Sequence, residues 1–187
     1  MERLADTYGL RWAWTGEWAY RIVVPVLDWD RKMLTWTGRS IVSSEKLRYK
    51  TLSADEEKAA GGPTAVVPIT ECLLNLPWLK DGGEALCVTE GFFDQANLNQ
   101  YRDAEFVATC LFGKIISPGQ LDLLAQLRPL FKKIFLLLDP DALFDSLRIG
   151  SELQALGIIP MRTGSDDDPG ELAEKECKRL IYDMVSR

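Results

Sequence analysis

Six carboxylates at the ends of apolar runs have the spacing to do chemistry in this chain. Glu90 closes the run EALCVT, Asp139 and Asp141 follow KIFLLL, and Asp166, Asp167 and Asp168 follow the short run Ile158–Met161. Packed carboxylates repel one another and raise each other's pKa values. A divalent cation relieves that repulsion, so three converging acidic groups make a cation site. The chain has no histidine, which removes Ser-His-Asp and Cys-His catalysis. Its cysteines, Cys72, Cys87, Cys110 and Cys177, are widely spaced with no CxxC pair. No zinc-ligand cluster is therefore expected, and thiols inside runs such as EALCVTE and VATCLFG act as small hydrophobes. What is left is oxygen-ligated Mg2+ or Mn2+. Each acidic group also has a plain structural reading. Glu90-Gly91 makes a turn, Asp139 can cap a helix, and Asp166–Asp168 suit a solvated loop. Their common position behind three apolar runs favours a shared site.

The elements that must position these acids fall into two parts. The first part reads as β-rich. Arg21–Leu27 and Met33–Arg39, joined by the polar turn DWDRK, form a hairpin, and Leu47–Leu52 adds a strand. Pro25 favours an edge or a bulge. The polar stretch 53–64 ends in Gly-Gly-Pro and marks a boundary, giving a basic β-rich subdomain over 1–64 and an α/β domain over 65–187. In the second part strands and helices alternate. The strands are Glu84–Thr89, Glu105–Thr109, Lys133–Leu138 and Ile158–Met161. The helices are Thr70–Leu79, Phe92–Gln100, Pro118–Leu127, Ala142–Leu156 and Gly170–Ser186. Alternation at this spacing predicts a mostly parallel sheet flanked by helices. In such a sheet the strand C-termini share one edge, and ligands bind there.

Composition bounds the function classes. The chain has 187 residues, 47% of them apolar, and a net charge of −6. No run of eighteen apolar residues spans a membrane, and MERLADTYGL lacks the apolar stretch of a signal peptide. A soluble cytoplasmic protein is the expectation. The acidity is uneven. Residues 1–50 hold nine Lys/Arg against six acids, a balance of +3, which leaves −9 for the rest. A basic part beside an acidic part suits phosphate binding near a metal. Trp12, Trp14, Trp18, Trp29 and Trp36 are concentrated in the basic part. Base stacking is open to them, but most are expected in the core.

Three of these stretches resemble the Toprim family. VTEGFFD (Val88–Asp94) is similar to its first motif, LLLDPDA (Leu136–Ala142) to its second, and DDDPGEL (Asp166–Leu172) to the third acidic loop of its primase branch. The first segment also resembles the β-rich subdomain that precedes Toprim in bacterial and phage primases. Arg21, Pro25, Asp28, Gly38-Arg39 and Arg48-Tyr49 follow that order. The resemblance implies a primase core that makes RNA primers on a single-stranded DNA template from ribonucleoside triphosphates. It implies Glu90, Asp139 and Asp141 as catalytic residues. Glu90, Asp139, Asp141, Asp166 and Asp168 would hold Mg2+ or Mn2+, with Glu90 as ligand or as base. Asp94 would support Glu90 or serve as a first-turn helix acid. Arg21, Arg39, Arg48, Lys50 and Lys114 would contact template or nucleotide phosphates.

Two departures from the pattern stand out. DPDALFDS lacks the Ala-Gly that often follows Asp-x-Asp, and the position two residues after the first aspartate of the third motif, where a second is common, is Gly170 counted from Asp168 and Asp168 counted from Asp166. No P-loop helicase motif and no zinc ribbon occur in these residues. Those functions come from a partner helicase or zinc-ribbon chain, are dispensed with, or lie in a longer protein. A Toprim nuclease and a non-catalytic replisome module are the rival readings.

Overall fold

The computed structural model describes residues 2–55, 57, 61–137, 150–161 and 168–186. Two compact units make up the chain, Met1–Pro77 and Trp78–Arg187. This division differs from a boundary at residue 64 by the segment 65–77. That segment pairs with the first unit, where the Val66 N–H donates to the Leu34 carbonyl and the Ala65 N–H to the Ser53 carbonyl.

The first unit begins with helix α1 (Glu2–Tyr8), which sequence reading did not anticipate. Gly9, at φ +63°, ends it. Four strands follow, β1 (Arg11–Ala13), β2 (Arg21–Leu27), β3 (Met33–Ser40) and β4 (Tyr49–Thr51), paired in chain order as an antiparallel sheet. The β2–β3 hairpin forms as expected. Asp28 organises its turn by accepting the N–H groups of Asp30 and Lys32 at 2.8 and 2.9 Å. Arg31 completes the reversal at φ +65°. Pro25 sits in a strand with two neighbours. However, β1 pairs only as far as Val23, so β2 has an unpaired side at Pro25, and a register shift follows at Val26/Leu27. The helix expected over 70–79 is broken into a 3-10 turn, Ile69–Glu71, and a short helix α2 (Leu76–Leu79). Asn75, at φ +63°, interrupts it.

The second unit is an α/β fold. Strands β5 (Gly83–Thr89), β6 (Phe106–Cys110), β7 (Phe131–Leu137) and β8 (Ile158–Met161) form a wholly parallel sheet in the order β6-β5-β7-β8. Helices α3 (Phe92–Asn99), α4 (Pro118–Leu127), α5 (Gly150–Ala155) and α6 (Glu174–Ser186) accompany them. Side chains of one sheet face, among them Ala85, Cys87, Phe106 and Phe135, pack with Leu98 of α3 and with Cys177 and Met184 of α6. Leu86, Val88, Ile134 and Leu136 of the opposite face are buried too, as are Leu124 and Leu127 of α4. Burial on both faces explains why these strands read as unbroken apolar runs. Helix α6 begins at Glu174 and not at Gly170. Pro169–Glu171 form a 3-10 turn, with the Asp168 side chain accepting the Gly170 N–H at 2.8 Å. Asp139, Asp141, Asp166 and Asp167, and most of the helix expected over 142–156, lie outside the described residues.

Candidate metal centre and nucleic-acid face

The strand order places a topological switch between β5 and β7. The chain runs from β5 to β6 on one side and then returns to β7 on the other. Such a switch opens a crevice at the strand C-termini. Thr89 and Leu137 are register partners there, and Leu137 pairs in turn with Met161. Glu90 therefore leaves the sheet beside the point where the chain enters the Asp139–Asp141 segment. The run to Asp166–Asp168 leaves from the neighbouring strand.

Local hydrogen bonds fix the Glu90 turn. The buried Thr89 hydroxyl lies 3.2 Å from the carbonyls of Gly91 and Thr109. Asp94 accepts the Gly91 N–H at 2.8 Å, which closes the first turn of α3. The Glu90 carbonyl accepts the Gly113 N–H at 3.2 Å. Glu90 is half-buried, and its Oε2 is shut off from solvent. These bonds fix the backbone of the turn that carries Glu90 at the sheet edge.

Helix α3 also reaches the third acidic segment. Asn97 donates to the Pro169 and Leu172 carbonyls at 3.0 and 2.9 Å. A Cβ on Gly170 would lie 3.1 Å from both Asp94 Oδ1 and Asp168 Oδ1. Glycine thus lets the turn after Asp168 approach the helix that carries Asp94. Asn97 was not singled out from sequence. Its one signal is an amide in a helix interior directly after the Glu-Gly turn, where Asn is a poor helix former.

Lys114 is exposed in the loop after β6, next to Gly113, and so stands at the same sheet edge as Glu90. Gln120 of α4 holds the start of that loop, donating to the Leu111 carbonyl at 2.7 Å. Among the described residues no group of three or more Asp, Glu, Cys or His comes together as a metal cluster. Of the expected ligands, the described residues include Glu90 and Asp168. The cysteines are all buried and unpaired in disulfides. Burial pushes the Cys87 and Cys110 thiols far up, and Cys72 up to about 11. They stay neutral and offer no thiolate to a metal.

The cations of the first unit divide by sheet face. Arg21 is buried, and its Nη1 donates to the carbonyls of Gly38, Leu47 and Arg48 at 3.0–3.3 Å. It ties β2 to the β3–β4 connection. Lys50 pairs with Glu17 at 2.9 Å and lies over the Trp18 ring. That hydrogen bond and the one from Trp18 hold the Glu17 carboxyl below its usual value. Gly38 makes room for this cluster, since a Cβ would lie 3.0 Å from Trp18 Cε3. Arg48 is exposed. Arg39 is half-buried and donates to the Tyr49 hydroxyl at 2.7 Å. The expectation that most of the tryptophans pack into the core is not met. Trp12 and Trp14 are 46% and 64% exposed, and Trp18, Trp29 and Trp36 are partly buried. Three of the five, Trp14, Trp18 and Trp29, lie outside the strands of the sheet.

The Toprim domain family matches residues 85–143, the span that holds Glu90, Asp139 and Asp141. Solved structures extend the likeness to the whole chain. The Aquifex aeolicus primase (zinc-binding and RNA polymerase domains) superposes with a TM-score of 0.76 at 18% identity, covering 100% of this chain and 52% of that one. The E. coli primase catalytic core gives 0.69 at 17% identity, covering 99% and 59%. The primase fragment of the bacteriophage T7 primase-helicase protein gives 0.69 at 17% identity, covering 99% and 70%. At these identities the likeness is one of fold. The chain spans about half the length of the Aquifex aeolicus structure and 59% of the E. coli one. No curated protein matches it in sequence. Among the described residues no helix is long and apolar enough to cross a membrane.

Proposed function

We propose that this chain, which carries a Toprim domain on the fold of a primase catalytic core, makes short RNA primers on single-stranded DNA by metal-dependent nucleotidyl transfer. The observation that carries the reading is the Thr89–Leu137–Met161 register at the switch point. It ends the three strands that precede the acid-bearing segments side by side, which supports a shared site for the acids that follow.

The donor set fits a hard divalent cation. Glu90, Asp139, Asp141, Asp166 and Asp168 offer only oxygen, and the neighbouring thiols Cys87 and Cys110 are fully buried. Bound among these residues, Mg2+ or Mn2+ would offset the negative charge that develops on the phosphate oxygens. Glu90 acts there as a ligand or as the base that takes the proton of the attacking 3′-hydroxyl. Asp94 keeps the Glu90 turn in place through Gly91. Lys114 faces the triphosphate from the β6 loop. Arg48 and Arg39 of the first unit take the template. Arg21 and Lys50, already engaged within the sheet, hold the surface that presents it.

The test is incubation with single-stranded DNA, labelled ribonucleotides and Mg2+ or Mn2+. Labelled primers support the reading. Shortened DNA would make the protein a nuclease, and neither product would make it a binding module. The Asp139→Asn plus Asp141→Asn double variant is expected to abolish primer synthesis. Full retained activity would remove these residues from the metal site.

A further inference from the structure

The loop between β6 and α4 carries the exposed pair Lys114 and Ile115, and hydrogen bonds fix it at both ends. At its start the Leu111 N–H donates to the Thr89 carbonyl at 3.0 Å, and the Gly113 N–H donates to the Glu90 carbonyl at 3.2 Å. Donors two residues apart thus meet acceptors one residue apart. A regular parallel ladder spaces its bonds evenly, so the β6 side holds one extra residue, as in a β-bulge. Phe112 takes it up in the left-handed region, at φ +61°. A phenylalanine there is strained and persists only where its surroundings over-determine it. Those surroundings centre on Gln120, which is fully buried. Its Nε2 donates to the Leu111 carbonyl at 2.7 Å, and its Oε1 accepts the Ser117 N–H at 3.1 Å. The Ser117 hydroxyl accepts the Gln120 N–H at 3.1 Å. One amide therefore ties the residue before the bulge to the residue that caps α4. Ile116 is buried as well, and Lys114 and Ile115 stand out between these anchors.

We infer that Gln120 is a positioning residue: through the bulge at Phe112 it holds the backbone of Lys114 where the ammonium meets the triphosphate of the incoming nucleotide. The role rests on the reading of Lys114 as a triphosphate contact, whereas the frame rests on the hydrogen bonds alone. A lysine ammonium rides on a flexible four-carbon stem, so its backbone anchor decides which phosphate it reaches. A loop free at either end would lose part of that contact to its own ordering on binding. Here both ends are tied by the chain's own hydrogen bonds. The Gly113 bond also sets the loop against the Glu90 carbonyl, so the cation and the carboxylate keep a fixed backbone spacing. Gln120 lies beneath this arrangement and acts on the nucleotide only through the loop.

The test measures binding of a fluorescent ribonucleoside triphosphate, and of the matching monophosphate, to the full chain with Mg2+ and without template, so that no turnover intervenes. Lys114→Met is expected to weaken the triphosphate by about 10- to 100-fold, the size of a lost charge-assisted hydrogen bond. The monophosphate should stay within about twofold of the parent. Gln120→Met fills similar space without either hydrogen bond and is expected to weaken the triphosphate by about 3- to 10-fold, again sparing the monophosphate. In the Lys114→Met background Gln120→Met should change triphosphate affinity by no more than about twofold. A merely structural role for Gln120 would weaken both nucleotides together or add its full loss in that background. Either result overturns the inference, as does unchanged triphosphate affinity in Gln120→Met. If Gln120→Met fails to fold, Phe112→Gly carries the test, since glycine adopts the left-handed region freely and loosens the loop. The same triphosphate-only loss, absent in the Lys114→Met background, is expected there, and unchanged affinity overturns the inference. Failure of the underlying reading looks different. No binding by the parent, or unchanged triphosphate affinity in Lys114→Met, removes Lys114 from the nucleotide site and Gln120 with it. A loss in Lys114→Met alone removes only the role of Gln120.

Discussion

The two units solve the same problem, a four-stranded sheet, in opposite ways. In the second unit every strand runs parallel, and β6 is buried along its whole length. Among the described residues most of both faces belongs to the core, with Ile159 and Pro160 of β8 exposed. In the first unit the strands are antiparallel, Val24, Val26, Thr35 and Thr37 are buried on one face, and Trp12 and Tyr49 stay exposed on the outer strands. The lesson is that sheet direction decides where chemistry can sit. A parallel sheet works at its C-terminal edge, where loops carry Glu90 and Lys114. The antiparallel sheet of the first unit instead leaves side chains such as Trp12 and Tyr49 exposed on its outer strands.

The largest effect should come at the edge. Glu90→Gln is expected to lower the primer-synthesis rate by about 10²- to 10⁴-fold while oligonucleotide affinity stays near that of the parent. Rate and anisotropy measured on the same preparation check this, and an equal loss of binding would break the division between the two units.

Glycine substitutions sharpen the contrast in packing. Gly82 sits at φ +67°, and a Cβ there would run into the Leu130 backbone carbonyl. Gly82→Ala is expected to cost about 3 kcal/mol by denaturant unfolding. Gly38→Ala meets only the Trp18 and Arg21 side chains. These can shift, so about 1–2 kcal/mol is expected. A larger loss at Gly38 would mean that the antiparallel sheet is the more tightly constrained of the two.

Asp94→Ala tests the turn that aims Glu90. Losing the acceptor for the Gly91 N–H should cost about 1 kcal/mol of stability. The rate should fall further than Asp94→Asn lowers it, since the amide oxygen still accepts that N–H. Identical rates for the two variants would separate Asp94 from the positioning of Glu90.

The remaining effects are in pH. Burial raises the Cys72 thiol from its ordinary 9.0 to about 11. The stabilisation is complete below pH 9.0 and is lost as pH rises towards 11, because the unfolded chain gives up this proton first. Comparing urea unfolding at about pH 8 and about pH 10.5 should show the loss, and Cys72→Val should flatten it. Glu17 has the opposite sign. Its carboxyl is lowered by the Lys50 and Trp18 hydrogen bonds, so its contribution is present above the ordinary carboxylate range and fades as pH falls. It is exposed and screened, and Glu17→Gln should barely change the acid limb.

The second unit was the more legible in sequence. Pro118–Leu127 and Ile158–Met161 lie where their cap and turn signals put them, as does Arg21–Leu27 in the first unit. Capping, proline placement and apolar runs are local, so they can be read along a single chain. Helix α1 and the short β1 were missed because neither has an apolar period long enough to show. The break at Asn75 was missed for a related reason, since a left-handed residue inside an apolar stretch leaves no periodic trace.

By itself the sequence determined the α/β class, the parallel strands and the Glu90-Gly91 turn at a strand end. Each of these depends on residues adjacent in the chain. Tertiary structure alone decided which cations are buried and which are presented. Arg21, Arg39 and Lys50 look alike in a basic segment. Strand register, set by pairings many residues apart, makes Arg21 a staple, Lys50 a partner of Glu17, and Arg39 a donor to the Tyr49 hydroxyl. It likewise decided that Gly170 serves Asp94, because that contact closes between a helix and a turn that only the folded chain brings together.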